Sequence, residues 1–394
     1  MAEAQPATLL PIAEWTTRAD LAGLMEALGS GHARYVGGAV RDTLLGLPVK
    51  DIDVATDLLP EEVIVRLEAA RIRSVPTGIE HGTVTAVLPG GPVEITTLRH
   101  DVSTDGRRAK VAFANDWRDD AARRDFTINA LYADPQTGAV ADWFGGLADL
   151  ADRRVRFIGD PHERIREDHL RILRYFRFQA RFGSLPADEP AERACSELAA
   201  TLKGLSRERI AMELLNLLAL PDPAAAVARM ATLGVLEVIL PEARADALAA
   251  LVAAEKSQGV EPDAIRRLAA LLPPDQPVVE QVAARLRLST TNRKRLTTAA
   301  GRTERPDDPR ALAYRLGRDE ALDRLLIAGA DTEPLRGWDI PRLPIKGGDI
   351  VARGIKAGPE VARTLRVVED RWIAEGVPDD ARTRALLDDV LRAG

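Results

Sequence analysis

The sequence predicts an N-terminal α/β unit followed by a long all-α remainder. Two observations carry that expectation. From about residue 34 to 145, short β-branched runs ("DIDVAT", "GTVTAVL", "VEITTL") alternate with helical stretches such as "PEEVIVRLEAARI", the mark of strands and helices taken in turn. After about residue 150 the strand signal fades, and "HLRILRYFRFQARF", "RERIAMELLNLLAL" and "PAAAVARMATLGVLEVI" all repeat with helical period. A chain of 394 residues has room for roughly two to four domains.

The elements follow in order. The first fifteen residues, "MAEAQPATLLPIAEW", have no basic region followed by a long apolar stretch, so no signal peptide is expected. "TRADLAGLMEALGSG" reads as one helix stopped by Gly31. Tyr35-Val36 ends a strand, Gly37-Gly38 makes a turn, and Val40 to Leu45 is helical. "PGGP" at 89–92 is a hairpin turn between the second and third β-branched runs. "LRHDVSTDGRRAKVAFANDWRDDAAR", from 98 to 123, is polar and aperiodic, and reads as a mobile loop with one strand at 109–113. Thr127 to Tyr132 looks helical, and "DWFGG" at 142–146 is a turn whose aspartate holds a neighbouring helix. Helices then run to the end of the chain, with Pro/Gly breaks near 186–190, 273–277 and 340–348 and no internal repeat.

Composition narrows the function classes. Hydrophobic residues make up 46% and aromatics 4%, so a sizeable core must be built mainly from Leu, Val, Ile and Ala. A formal charge of −6 argues against a uniformly basic nucleic-acid binder, though not against a local basic groove. The one cysteine, Cys195, rules out an intramolecular disulfide or a Cys-rich zinc site. No apolar run reaches the ~18 residues of a membrane span, and the cytoplasm is the expected compartment.

Three stretches carry candidate chemistry. In "YVGGAVRDTLLGLPVKDIDVATD", a strand, a glycine turn and a helix start aim backbone N–H groups at one spot, which suits phosphate. Gly37, Gly38 and Arg41 are its candidate ligands, the plain alternative being a tight turn. Asp51 and Asp53, two apart on a strand, put both carboxylates on one face with Ile52 and Val54 opposite. Such like charges repel unless a cation lies between them, and oxygen ligands suit Mg²⁺; the alternative is an exposed strand face. Glu94 in "VEITT" becomes a third carboxylate if the strands pair, and otherwise faces solvent at a sheet edge. In "RRDFTINALYAD", Arg124 is a candidate phosphate ligand, and Asp125 caps a helix or orients an arginine.

The densest signal is "REDHLRILRYFRFQARF" at 166–182. Read as one helix, it spaces Asp168, Arg171 and Arg174 three apart, with Arg177 and Arg181 continuing the row. Residues 150–181 hold nine arginines against five acids, an excess that calls for an anionic partner beyond a salt-bridged amphipathic helix.

Taken jointly and in order, these motifs resemble the class II nucleotidyltransferases, the family of the bacterial tRNA CCA-adding enzymes and bacterial poly(A) polymerases. "GGAVRDTLLGLPVKDID", "RRDFTINAL", "DWFGG", "EDHLRILRYFRF" and "LSRERIAMELL" (205–215) resemble its five motifs, and "IKAGPEVARTL" (355–365) its C-terminal region. The resemblance implies an α+β, polymerase-β-like nucleotidyltransferase head followed by all-α neck, body and tail. On this sequence that gives a leader and helix at 1–30, head at 31–150, neck at 151–220, body at 221–290 and RNA-binding tail at 291–394. It implies that Gly38 and Arg41 hold triphosphate, that Asp51 and Asp53 bind Mg²⁺, and that Arg124, Asp168, Arg171, Arg174 and Arg177 hold nucleotide. The expected partners are CTP, ATP and the tRNA 3′ end, with no membrane and no stable protein partner. No C-terminal phosphohydrolase domain is expected.

The implied reaction is attack of an RNA 3′-hydroxyl on the α-phosphorus of a nucleoside triphosphate, with no protein nucleophile. Adenine and cytosine both present an amine donor beside a ring-nitrogen acceptor; guanine and uracil present the reverse. A carboxylate beside a guanidinium reads the first pattern, and Asp168 with Arg171 is the expected pair. Rivals are a poly(A) polymerase, a partial CC- or A-adding enzyme, a non-catalytic RNA-binding homologue and an Asp-x-Asp glycosyltransferase. "VPTGIEHGTVTAVL", where poly(A) polymerases carry a basic "GRRF"-type stretch, and a full-length 98–123 segment resemble the CCA-adding version.

Overall fold

The structure is a computed structural model that describes residues 8–105, 108–114, 116–302 and 308–393. The chain divides into two compact units, Met1–Glu213 with Arg229–Ile239, and Leu214–Ala228 with Leu240–Gly394.

The first unit opens with helix α1 (Ala19–Leu28), which buries Leu21, Leu24, Met25 and Leu28. It stops at Gly29, whose φ of 92° lies where a side chain is strained, two residues before the expected Gly31. Strand β1 (Ala33–Val36) leads through Gly37 into α2 (Gly38–Leu44), and β2 (Asp53–Thr56) into α3 (Pro60–Ala69). Pro60 begins α3, and the Leu59 N–H donates to the Glu62 carboxylate at 3.1 Å, so this start is fixed by local chemistry. Strands β3 (Arg73–Gly78), β4 (Thr83–Leu88) and β5 (Gly91–Thr97) follow, with Pro89-Gly90 turning between the last two as expected.

Next come β6 (Arg99–Asp105), β7 (Arg108–Phe113) and α4 (Trp117–Ala122). The expected loop over 98–123 is therefore a two-stranded antiparallel hairpin and a helix; its residues 106, 107 and 115 lie outside the described ones. The stretch "RHDVSTD" of β6 holds one apolar residue, so hydrophobic periodicity gives no sign of that strand. The expected helix over 127–132 is a 3₁₀ turn (Thr127–Asn129) and strand β8 (Leu131–Ala133), followed by β9 (Val140–Asp142).

The main sheet has seven strands in the order β3-β4-β5-β2-β1-β8-β9. Only β2 and β5 pair in parallel, in register Asp53 to Glu94, Val54 to Ile95, Ala55 to Thr96 and Thr56 to Thr97. Pro92 falls just before that register, where β5 pairs only with β4 and a missing N–H is tolerated. The unit continues as helices: α5 (Gly146–Ala151), α6 (Pro161–Glu167), α7 (Arg171–Phe182), α8 (Glu189–Glu197) and, as far as Glu213, α9 (Arg207–Leu218). Asp142 accepts from the N–H groups of Phe144, Gly146 and Leu147, so the "DWFGG" aspartate does hold the start of α5. Phe126, Phe157, Tyr175 and Phe178 pack together, with Phe126 4.9 Å from both Phe157 and Phe178. The few aromatics are thus concentrated where the "RRDFTIN" segment meets α7.

Helices α10 (Ala224–Thr232), α11 (Val235–Ile239), α12 (Asp246–Gln258), α13 (Ala264–Leu271) and α14 (Gln276–Arg285) follow. After them come α15 (Thr290–Ala300), α16 (Pro309–Leu316), α17 (Arg318–Ile327), α18 (Gly347–Val351), α19 (Pro359–Ala374) and α20 (Asp380–Ala393). The second unit is helical throughout its described residues, with cores around Trp372 and Leu325. No helix among the described residues is long and apolar enough to cross a membrane.

Candidate active site

The carboxylates come first, because the sheet places them. Asp53 opens β2 and lies beside Glu94 of β5, a neighbouring-strand spacing of about 5 Å. Asp51 precedes the strand instead of lying on it, and is exposed, while Ile52 and Val54 are buried. Burial is the largest cause pushing the Asp53 carboxyl above its ordinary value, and Glu94 and Asp51 push it further, while Arg124 opposes them.

Among the described residues no group of three or more His, Cys, Asp or Glu side chains is gathered closely enough to enclose a metal ion. An open site is another matter. Asp53, flanked by two further acids and short of positive charge, is an oxygen donor set whose repulsion a divalent cation relieves. The residues therefore fit an oxygen-liganded cation at Asp51 and Asp53, with Glu94 alongside.

The glycine turn faces the same region. Gly37 has φ 68° and caps α2, and its N–H donates to Leu131 O at 3.2 Å. A Cβ on Gly37 would stand 3.3 Å from Nη1 of Arg124, so the missing side chain also makes room for that guanidinium. Gly38 starts α2, and a Cβ there would stand 3.7 Å from Nη2 of Arg41.

Arg41 is not an outward-reaching ligand. It is 6% exposed, bonds Asp42 at 2.7 Å and Asn129, and lies 4.1 Å from the Phe182 ring centroid. Burial lowers its pKa against the pull of Asp42. In this structure it braces the turn from beneath. Arg124, by contrast, keeps 21% of its side chain exposed. Its Nε donates to Tyr132 Oη at 2.9 Å, and its Nη2 lies 3.4 Å from Asp120. Burial opposes its charge, but Tyr132 and Asp120 outweigh burial and hold its pKa above the ordinary value.

The arginine row divides differently from its sequence reading. Asp168 is not on the helix; it terminates α6 with extended backbone, and α7 starts at Arg171. Its carboxylate accepts from Leu170 N at 3.1 Å and Arg209 at 2.7 Å. Arg171 donates instead to Glu167 and to the carbonyls of Arg164 and Arg123. The two side chains flank one junction without bonding each other. Arg174 bonds Asp125 at 2.8 Å and Arg177 bonds Glu213 at 2.7 Å, while Arg181 reaches Asp42 at 3.2 Å. The four arginines of α7 thus each have an internal acid. Their positive excess does not require an outside anion, because Asp42, Asp125 and Glu213 come from sequence far away. Asp125 does orient an arginine, as one of the two sequence readings had it. Asp42, Asp120, Asn129, Tyr132, Arg209 and Glu213 were not singled out in the sequence. Three of these carried a local signal: Asp120 lies three and four residues before Arg123 and Arg124, Asp42 is next to Arg41, and Asn129 is four residues after Asp125.

A mixed sheet with adjacent acids on two parallel strands, a glycine turn and an arginine at that turn, backed by helices, is a nucleotidyltransferase head. The Poly A polymerase head domain matches residues 33–156, and the family described as probable RNA and SrmB-binding site of polymerase A matches 188–246. The mitochondrial CCA tRNA nucleotidyltransferase 1 of Mus musculus is 47% identical over 188 residues, 47% of this chain and 43% of that protein. The CCA-adding enzyme of Levilactobacillus brevis is 42% identical over 207 residues, 52% of this chain and 50% of its own length. The matched region thus spans about half the length of these relatives. The Bacillus stearothermophilus CCA-adding enzyme in complex with CTP superposes with TM-score 0.72 at 27% identity, covering 94% of this chain and 96% of that one. The Thermotoga maritima CCA-adding enzyme complexed with tRNA, at 22% identity and TM-score 0.69 over 92% and 91% of the two chains, shares the fold. Residues 33–156 thus carry a Poly A polymerase head domain, and over about half its length the chain is similar to CCA-adding enzymes.

Proposed function

We propose that this protein adds CMP and AMP from CTP and ATP to the 3′ end of tRNA without a template, releasing pyrophosphate. The observation that carries the reading is the register of Asp53 beside Glu94, facing the turn at which Gly37 and Arg124 meet. A nucleotidyl transfer needs an acidic end that holds a cation and a basic end that receives phosphate, and the central strands of this sheet bring both together.

In the proposed mechanism Asp51 and Asp53 hold Mg²⁺, with Glu94 keeping the local charge strongly negative. When bound, the metal neutralises charge on the triphosphate and eases deprotonation of the RNA 3′-hydroxyl. Arg124, with the backbone N–H of Gly38, holds the triphosphate; Gly37 makes the turn and Arg41 supports it. Asp168 accepts from the exocyclic amine of cytosine or adenine and Arg171 donates to the adjacent ring nitrogen. For this Asp168 exchanges its bond with Arg209, a half-buried pair open to solvent at 29% and 32%, and Arg171 exchanges Glu167. Arg174 and Arg177 hold the nucleotide side of α7 in shape through Asp125 and Glu213. We assign residues 31–150 as head and 151–220 as neck, with body and tail at 221–290 and 291–394 binding RNA, and the cytoplasm as the compartment.

The test is extension of a tRNA transcript that ends at the discriminator base, in Mg²⁺, resolved to single nucleotides. CTP alone should give two additions, and CTP with ATP one more. A long ladder with ATP alone would make it a poly(A) polymerase, and a stop after two additions with both nucleotides present a partial enzyme.

A further inference from the structure

Asp120, on α4, is 1% exposed and meets the site just described only at Arg124, which it contacts at 3.4 Å. One of its oxygens takes Arg123 Nε at 2.7 Å and the Arg99 N–H, at the base of the β6–β7 hairpin, at 3.3 Å. Its other oxygen takes Tyr132 Oη at 2.5 Å and Arg124 Nη2 at 3.4 Å. Tyr132, fully buried, passes the contact on, because its hydroxyl also receives Arg124 Nε at 2.9 Å. The Arg124 guanidinium is therefore gripped on Nε and Nη2, leaving Nη1 as the end that lies against Gly37. Its planar fork has no other orientation that satisfies both grips.

We infer that Asp120 is a positioning residue, which together with Tyr132 aims Arg124 at the Gly37 turn. It ties the base of the β6–β7 hairpin to the same anchor. The inference rests on the function proposed above only for what Arg124 binds; the grip itself stands on the distances. A buried carboxylate is a costly way to fill space unless its charge is used. Here burial works against the Asp120 carboxylate, yet Arg124 and Arg123 hold it below the ordinary carboxylate range.

The experiment measures CTP binding by titration calorimetry and CTP incorporation by single-nucleotide extension. The proteins are wild type, Asp120→Asn, Tyr132→Phe, Arg124→Ala and the two double variants carrying Arg124→Ala. Loss of a charged grip should raise KM and Kd for CTP about tenfold in Asp120→Asn, and about threefold in Tyr132→Phe, with kcat changed by less than about threefold. In the Arg124→Ala background either change should add less than about twofold, because nothing is left to aim. A structural role would instead lower kcat with the melting temperature and stay additive with Arg124→Ala. Wild-type affinity in either folded single variant, or additive losses in the doubles, would overturn the inference. Should Asp120→Asn fail to fold, Tyr132→Phe decides alone. If the wild type binds CTP but transfers nothing, the proposed function fails while the binding arm still judges the positioning.

Discussion

Two places in this molecule crowd carboxylates together, and they are opposites. In the second unit, Asp323 is fully buried and bonds Arg266 at 2.9 Å and Arg295 at 2.7 and 2.8 Å. Glu255, 2% exposed, bonds Arg266 at 2.7 Å and Arg267 at 2.8 Å. Arg267 donates onward to the carbonyls of Leu218 and Pro221, and Arg295 to Asp263. Every acid there has its cation. On the central strands β2 and β5 of the first unit, Asp53 has acids for neighbours and Arg124 as the opposing cation. A balanced buried cluster fixes helices α12, α13, α15 and α17 to one another; an unbalanced half-open one is poised for a cation from outside. Charge balance, more than acid count, separates scaffold from site.

The largest effect follows from removing an acid at the unbalanced cluster. Asp53→Ala or Asp51→Ala should abolish nucleotide incorporation, by about 10³-fold or more if the metal site supplies several kcal/mol of the barrier. The melting temperature without divalent metal should hold or rise, because a repulsion is relieved. Near-normal turnover in Mg²⁺ would refute the metal assignment.

The mirror experiment is Asp323→Ala. Removing that acid leaves Arg266 buried and Arg295 half-buried without it, which costs roughly 3–5 kcal/mol. Denaturant unfolding should show the loss, while the KM for CTP of the folded fraction stays unchanged. A stability change under about 1 kcal/mol would mean that the network is not the scaffold its burial indicates.

An intermediate case is Asp168, whose partner Arg209 is exchangeable. Asp168→Ala should keep CTP incorporation measurable but lower its preference over UTP by about 10- to 100-fold, the worth of one or two charge-assisted hydrogen bonds. Unchanged selectivity in single-nucleotide assays would sink the base-reading role.

How much of this was legible in the sequence follows the same division. The acids and the glycine turn are local in sequence, and β1, α2, β2, β4 and β5 formed where the pattern put them; pairing of β2 with β5 then brought in Glu94. The partners of the arginines were not legible, since Asp42, Asp125 and Glu213 lie 139, 49 and 36 residues from Arg181, Arg174 and Arg177 and no spacing rule reaches them. Strand β3 was missed because its residues are mostly exposed and include Pro76. The short strands β8 and β9 were missed because three residues each are too few to show a period. Asp168 was misplaced for a simpler reason: α6 and α7 are separated by only three residues, His169 and Leu170 following it, so two helices read as one.

The smallest effect tests the imbalance at Asp53 without catalysis. Its carboxyl is raised above the ordinary value by burial, Glu94 and Asp51, whereas in the unfolded chain it titrates near the ordinary aspartate value of 3.8. Between those two values the folded protein holds a proton that the unfolded chain has released. Stability from this group is therefore present at low pH and lost as pH rises through the raised value. Asp53→Asn removes that loss, so the wild type minus variant difference in melting temperature should grow more negative from pH 4 toward neutrality in EDTA. Added Mg²⁺ should raise the wild-type melting temperature and close most of the gap, while leaving Asp53→Asn nearly unmoved, because a ligand that binds only the folded state stabilises it. Parallel curves for the two proteins in EDTA would mean that Asp53 is already balanced, and the contrast with Asp323 would collapse.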